Sequence, residues 1–224
     1  MRRSMPARCR EGLPVLLLLV LAACQGGPPR EPGRFRTPDL VELVQLDPDI
    51  LLDVRYATAH NFTGRPLYSQ PRAFLQRPAA EAVVRANKAL QASGYGLLVY
   101  DAYRPWSVTQ ALWNAASESE RTQGFVADPR EGSKHNRGCA VDVGLYDRLS
   151  GREVPMPSGY DDFTERAHPD YRGGPAEARR TRDLLRAAME AEGFEVSKVE
   201  WWHFNCRGWQ HYPLLDIPFE ELPR

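Results

Sequence analysis

Two short stretches carry side chains that can do chemistry together. Ser133 to Asp142 reads SKHNRGCAVD, and Glu200 to His203 reads EWWH. The chain holds five histidines, and these stretches set two of them, His135 and His203, close to a carboxylate. A catalytic zinc ion takes three protein ligands from His, Asp, Glu or Cys and leaves one position open to water. His135, Asp142 and His203 make such a set if His135 sits in the loop entering a strand and Asp142 lies within it. Gly138 would let the backbone turn between them. Glu200 would then stand beside the centre. A peptidase needs a carboxylate there to take a proton from the attacking water and pass it to the leaving amine. Singly, a His near an Asp is more often a hydrogen-bonded pair, and E-x-x-H is a weak motif. The joint pattern carries the reading. One geometric condition follows. Residues three apart in a regular strand face opposite sides, so Glu200 and His203 share a site only if Glu200 lies in a turn, at a bulge or at the strand entrance.

The elements that must position these residues are legible in outline. Residues 50–56 (ILLDVRY) read as a strand and 61–64 (NFTG) as a turn. Residues 79–93 read as a helix between Pro78 and Gly94, the Pro-first, Gly-last arrangement. Residues 96–102 (GLLVYDA) read as a buried strand, 108–116 as a helix, 119–134 as loop and 139–145 as a strand. Residues 175–192 give the clearest helix, with Leu184, Leu185, Ala188 and Met189 on one stripe and Gly193 ending it. Residues 194–206 hold a last strand or strand pair. Strands and helices mix without a regular βαβ alternation, which predicts an α+β fold with a mostly antiparallel sheet and flanking helices.

Residues 1–23 are set apart from the fold. Four arginines precede an apolar run, 13–23, too short for a comfortable membrane span. The run ends in Leu21-Ala22-Ala23-Cys24, which is similar to the lipobox of bacterial lipoproteins and implies a lipidated Cys24 and an exported, membrane-anchored chain facing the periplasm. Residues 24–38, rich in Gly, Pro and Arg, read as a flexible tether. Residues 39–224 are then one domain with room for a sizeable core. The full chain is neutral, with 29 basic and 29 acidic residues. No basic stripe with interleaved aromatics asks for nucleic acid, and no protein partner is indicated.

The pattern S-x-H-x-x-G-x-A-x-D followed by E-W-W-H resembles the zinc D-alanyl-D-alanine dipeptidases, the VanX-like group of peptidase family M15. Residues 57–68, 94–106, 154–168 and 192–204 look like segments of that family, so the likeness spans most of 50–205. The resemblance implies a hedgehog/D-Ala-D-Ala peptidase-like fold. It implies one zinc ion per chain on His135, Asp142 and His203, with Glu200 as general base and acid. By the same resemblance Arg104, in DAYRP, stabilises the oxyanion, Asp161 holds the free amino group of a small dipeptide, and Ser133 hydrogen-bonds the substrate. The residues themselves leave alternatives open. Arg104 also suits a structural ion pair, Asp162 competes with Asp161, and Ser133 also suits a loop cap. His60, His168 and His211 receive no catalytic role. The export signal, and a loop between Arg104 and Ser133 that looks shorter than in VanX, depart from the family pattern. Export favours turnover of cell-wall peptides. Two other functions remain open: a carboxypeptidase or endopeptidase acting on longer peptidoglycan stem peptides, and a non-catalytic, cell-wall-binding zinc lipoprotein.

Cys139 stands three before Asp142, and Cys206 three after His203. If Asp142 and His203 face each other across an antiparallel pair, Cys139 faces Cys206 on the side away from the metal. A cross-strand disulfide is therefore expected, best suited to a non-hydrogen-bonded pair.

Overall fold

The computed structural model describes residues 26–222. The expected signal peptide and the lipidation at Cys24 lie outside the described residues. Among the described residues no helix is long and apolar enough to cross a membrane.

A five-stranded sheet forms the centre. Its strands are β2 (Leu51–Leu52), β4 (Tyr95–Asp101), β5 (Ala140–Asp147), β6 (Phe194–Val196) and β7 (His203–Cys206), in the order β2-β4-β5-β7-β6. Only β2 and β4 run parallel; the other neighbours are antiparallel. A separate pair, β1 (Leu40–Glu42) and β3 (Phe74–Gln76), is antiparallel as well. The α+β expectation holds. β4 and β5 are buried along almost their whole length, as their apolar runs require.

Helices α2 (Arg77–Gln91) and α5 (Ala176–Ala191) pack on each other and against the sheet. Each buries an apolar stripe, including Val83, Ala86 and Leu90 on α2 and Leu185 and Met189 on α5. Pro78 falls in the first turn of α2, where its missing N–H costs nothing. The main core joins these stripes to Leu97, Val99, Val141, Val143 and Phe204.

Several expectations need correction. The strand expected over 50–56 is only two residues long; after it the chain turns into a 3₁₀ helix at Arg55–Ala57. Overlapping the start of the expected loop 119–134 is α4 (Glu118–Thr122), which follows α3 (Trp106–Ala115). The start of α4 is a capping box: the Ser117 hydroxyl accepts from Glu120 N–H and the Glu120 carboxylate accepts from Ser117 N–H. That S-x-x-E signal was present in the sequence. The short α1 (Leu43–Leu46), β1 and β3 carried no periodic signal long enough to read.

The segment 26–38 has no helix or strand but is docked rather than free. Glu31 is ion-paired with the guanidinium of Arg137, and its carboxylate accepts from Leu214 N–H at 3.1 Å. Arg36 N–H donates to the His211 carbonyl at 2.8 Å. A buried arginine needs a carboxylate, and Glu31 on this segment supplies it.

The register of β5 against β7 decides the site. Asp142 pairs with His203, Val141 with Phe204 and Ala140 with Asn205. Hydrogen bonds from Val143 N–H to Trp202 O (2.9 Å) and from Cys206 N–H to Cys139 O (2.8 Å) mark the hydrogen-bonded positions. By alternation Asp142 and His203 form a non-hydrogen-bonded pair, whose side chains approach more closely. Cys139 does face Cys206, but in the wider, hydrogen-bonded kind of position, and the structure holds both as free thiols. The expected disulfide is therefore absent here: register brings the cysteines together, while the pair type suits a bridge less well.

Candidate active site

One cavity of about 250 Å³ is lined by Arg104, Ser133, His135, Asp142, Asp161, Glu200 and His203 together. All seven chemically assigned residues from the sequence meet there, though they come from four separate segments. The volume falls just under the usual range for small-molecule sites, about 300–1,000 Å³, which suits a ligand of dipeptide size.

His135 opens a 3₁₀ turn, His135–Arg137, that ends on Gly138 in the left-handed region (φ 64°). A side chain at Gly138 would also run into Leu40 at 2.5 Å. Glycine is thus needed both for the turn and for the close approach. The turn delivers His135 to the mouth of β5, where Asp142 points into the same space.

The three candidate ligand atoms lie almost at the corners of a triangle. His203 Nδ1 is 3.0 Å from Asp142 Oδ1 and 3.1 Å from His135 Nε2, and His135 Nε2 is 3.3 Å from Asp142 Oδ1. Metal bonds of about 2.0–2.1 Å in a tetrahedral centre put ligand atoms roughly 3.3 Å apart, so the donor set fits a zinc ion in both type and spacing. Among the described residues this is the one group of three such side chains close enough to hold a metal. Burial works to raise the Asp142 carboxyl, but the imidazoles of His135 and His203 overcome it and hold the group below the usual carboxylate range.

Glu200 satisfies the geometric condition set by E-x-x-H. It lies between β6 and β7, ahead of a turn at Trp201–Trp202, so the strand alternation is broken before His203. Glu200 Oε2 then sits 3.9 Å from His203 Nδ1, beside the triangle and outside it. Its side chain is 13% exposed, and burial pushes its carboxyl up to about 8. Both tryptophans are core residues; Trp201 Nε1–H donates to Ser158 Oγ at 2.9 Å.

Arg104 reaches the cavity from the segment just after β4. Its Nε and Nη2 donate to Asp101 Oδ2 at 2.9 and 2.6 Å. Burial works against the guanidinium's charge, and Asp101 together with Tyr56, Tyr68 and Tyr160 outweighs it, so its pKa ends above the ordinary value. Arg104 is therefore ion-paired and lines the cavity at the same time. A β-bulge between Val99 and Asp101 makes the ion pair possible: it sets Asp101 opposite Asp142 and so on the cavity face. Sequence reasoning missed Asp101, although an acid three before an arginine was visible. It also missed Tyr160, whose hydroxyl donates to Asp142 Oδ2 at 3.0 Å, and Asn205, which touches His203.

Asp161 takes the left-handed conformation (φ 58°), alone among the described non-glycine residues. Its carboxylate accepts from Phe62 N–H (3.2 Å) and Tyr56 O–H (3.4 Å). Burial pushes its carboxyl up to about 7. Asp162 does not line the cavity and is held by Thr164 and Arg166, so of the two it is Asp161 that faces the cavity. The Ser133 hydroxyl accepts from His135 N–H at 3.2 Å, so it does cap the loop, while its own proton stays available to the cavity. Part of one wall, Phe125 to Asp128, belongs to the loop between Arg104 and Ser133. His60, His168 and His211 do not line the cavity.

A family model described as D-ala-D-ala dipeptidase matches residues 36–220. The D-alanyl-D-alanine dipeptidase of Escherichia coli K12 is 38% identical over 183 residues, covering 82% of this chain and 92% of that protein. The enzyme of the same name from Enterococcus faecium is 35% identical over 187 residues, covering 74% of this chain and 91% of its own length. That of Enterococcus faecalis V583 is 36% identical over 189 residues, at 75% and 88%. With the site assembled in one cavity and these matches spanning nearly the whole described chain, the protein belongs to the D-Ala-D-Ala dipeptidase family of M15 peptidases.

Proposed function

We propose that this chain hydrolyses D-Ala-D-Ala, or a closely related small dipeptide, in cell-wall peptide turnover, with one zinc ion held by His135, Asp142 and His203. The observation that carries this is the single small cavity in which the ligand triangle, a buried acid and a buried arginine converge. A zinc ion bound there supplies Lewis-acid polarisation of the scissile carbonyl and lowers the pKa of water. Glu200, beside the triangle, takes the proton of the attacking water and later delivers it to the leaving amine. Arg104, locked by Asp101, faces the oxygen on which charge develops. Asp161 receives the substrate's ammonium, and Ser133 offers its hydroxyl proton to the bound dipeptide.

An anionic anchor in a small pocket accepts a charged N-terminus and rejects an acylated one. The zinc-loaded mature domain is accordingly expected to release amine from D-Ala-D-Ala and not from its N-acetyl form. Equal cleavage of the blocked substrate would move the protein to a carboxypeptidase reading. Failure to cleave either, with zinc bound, would favour a binding role.

Hydrogen bonds to charged groups are worth about 1.5–3 kcal/mol. Asp161→Asn should therefore raise KM for D-Ala-D-Ala roughly 10- to 100-fold, with a smaller effect on kcat. With the Asp161 carboxyl pushed up to about 7, wild-type KM falls as pH rises through that value, and the variant's KM stays flat. Stability moves the other way. Folding raises this carboxyl from 3.8 to about 7, so its contribution is complete below the lower value and lost as pH rises through the upper one. Asp161→Asn should then match wild type near pH 4 and exceed it in thermal stability at pH 8. A pH-independent KM in the wild type would remove Asp161 from this role.

We propose also that the chain is exported and anchored through a lipid on Cys24, on the strength of the Leu21-Ala22-Ala23-Cys24 sequence. Expression with labelled palmitate should mark the wild type, and Cys24→Ala should abolish the label and release the protein from membranes. An unlabelled, soluble wild type would end this reading.

A further inference from the structure

Each candidate ligand has two ends, and in each case something holds the outward one. His135 Nδ1 lies 2.6 Å from the Ala102 carbonyl oxygen. A carbonyl only accepts, so the proton sits on Nδ1 and the Nε2 lone pair faces inward. Asp142 Oδ2 takes the Tyr160 hydroxyl, which leaves Oδ1 facing the two imidazoles. His203 is the opposite case to His135: its inward atom is Nδ1, and its Nε2 lies 2.9 Å from Asn205 Oδ1.

The backbone explains why Asn205 can do this. In β7 residues two apart share a face, so Asn205 stands beside His203 on the cavity side and lines the cavity with it. Its partner on β5 is Ala140, whose methyl group offers no competing hydrogen bond, and its partner on β6 is Glu195, whose carboxylate lies 3.5 Å from Arg207 Nε. A carboxamide oxygen accepts the imidazole proton and brings no further negative charge to a cavity that already holds Asp142, Asp161 and Glu200.

We propose that Asn205 is a positioning residue for the metal centre: its carboxamide oxygen fixes His203 as the Nε2–H tautomer, so that Nδ1 is the atom presented to the metal. This rests on the zinc reading above and names the residue that orients its third ligand. Groups that orient a ligand imidazole typically carry 10- to 100-fold of metal affinity.

The test uses the mature protein with zinc as the probe. Zinc affinity is measured by chelator competition, and the ring nitrogens of His203 are read by NMR of ¹⁵N-histidine-labelled protein. In the wild type, Nε2 of His203 should carry the proton. Asn205→Leu should weaken zinc binding about 10- to 100-fold and lose the single-tautomer signature. Asn205→Asp, whose carboxylate also accepts the proton, should restore both. Zinc affinity within about twofold of wild type in a folded Asn205→Leu protein, or a wild-type proton on Nδ1, would overturn the proposal. If the leucine variant does not fold, the wild-type tautomer and the aspartate variant decide. Turnover of D-Ala-D-Ala by the wild type tests the enzymatic reading separately. An active wild type with an unaffected Asn205→Leu sinks only the tautomer proposal, and a wild type that binds no zinc sinks both.

Discussion

Glu200→Gln is expected to keep its metal and lower kcat by about three orders of magnitude, within the 10²–10⁴-fold range of general acid–base catalysis. Glu200 is outside the ligand triangle, 3.9 Å from His203 Nδ1, so zinc stoichiometry should not change. Glutamine keeps the shape and the packing beside Trp201 and Trp202 but neither takes nor returns a proton. The same substitution has a second, opposite consequence. Folding raises the Glu200 carboxyl from 4.5 to about 8 because burial penalises its charge. Its contribution to stability is thus fully present below the lower value and lost as pH rises through the upper one. Glutamine mimics the neutral form, so the metal-free variant should be at least as stable as wild type at pH 7 and more stable at pH 9. Steady-state rates, metal analysis and thermal unfolding in chelator make the comparison. Turnover within tenfold of wild type would defeat the assigned role of Glu200, whatever the stability result.

Arg104→Lys is expected to cost about 10²–10³-fold in kcat with little change in KM, the range seen when one donor to a developing oxyanion is removed. The guanidinium is held through two nitrogens on a single Asp101 oxygen, while Asp101 Oδ1 is occupied by Tyr68 O–H at 2.6 Å and Ala102 N–H at 2.9 Å. This arrangement aims a planar fork, and an ammonium on a flexible stem does not reproduce it. Lysine still balances the buried Asp101 charge, so the fold should survive. Arg104→Met should not be tolerated as well. It leaves Asp101, which is fully buried, without its cation, at a cost of roughly 3–5 kcal/mol. Comparing the two variants separates catalysis from folding. A lysine variant with wild-type kcat would reassign Arg104 to structure alone.

The residues that meet in the cavity were readable because their chemistry is local to short motifs. Asp142 opposite His203 entered the sequence reading as a condition, the one that lets both reach a single metal and sets Cys139 opposite Cys206, and the observed ladder has that register. Long elements with clear punctuation, α2, α5, β4 and β5, came out within a few residues. The elements that did not, β1, α1 and β3, are three or four residues long, and so short a segment has no period to detect. α4 is different: its capping box was in the sequence and was passed over.

Sequence alone determined the kinds of side chain and the family pattern, while the register that brings Asp142 to His203 was a condition the folded sheet met. The tertiary structure decided which atoms of those side chains face one another. It set Glu200 on the same side as His203 through the Trp201–Trp202 turn, and put Asp161, with its left-handed backbone, rather than Asp162 against the cavity. It brought Asp101 to Arg104 through a bulge and Tyr160 to Asp142 across 18 residues. A motif specifies chemistry through covalent neighbours, whereas orientation, tautomer and pKa depend on groups distant in sequence, whose positions only the folded chain supplies.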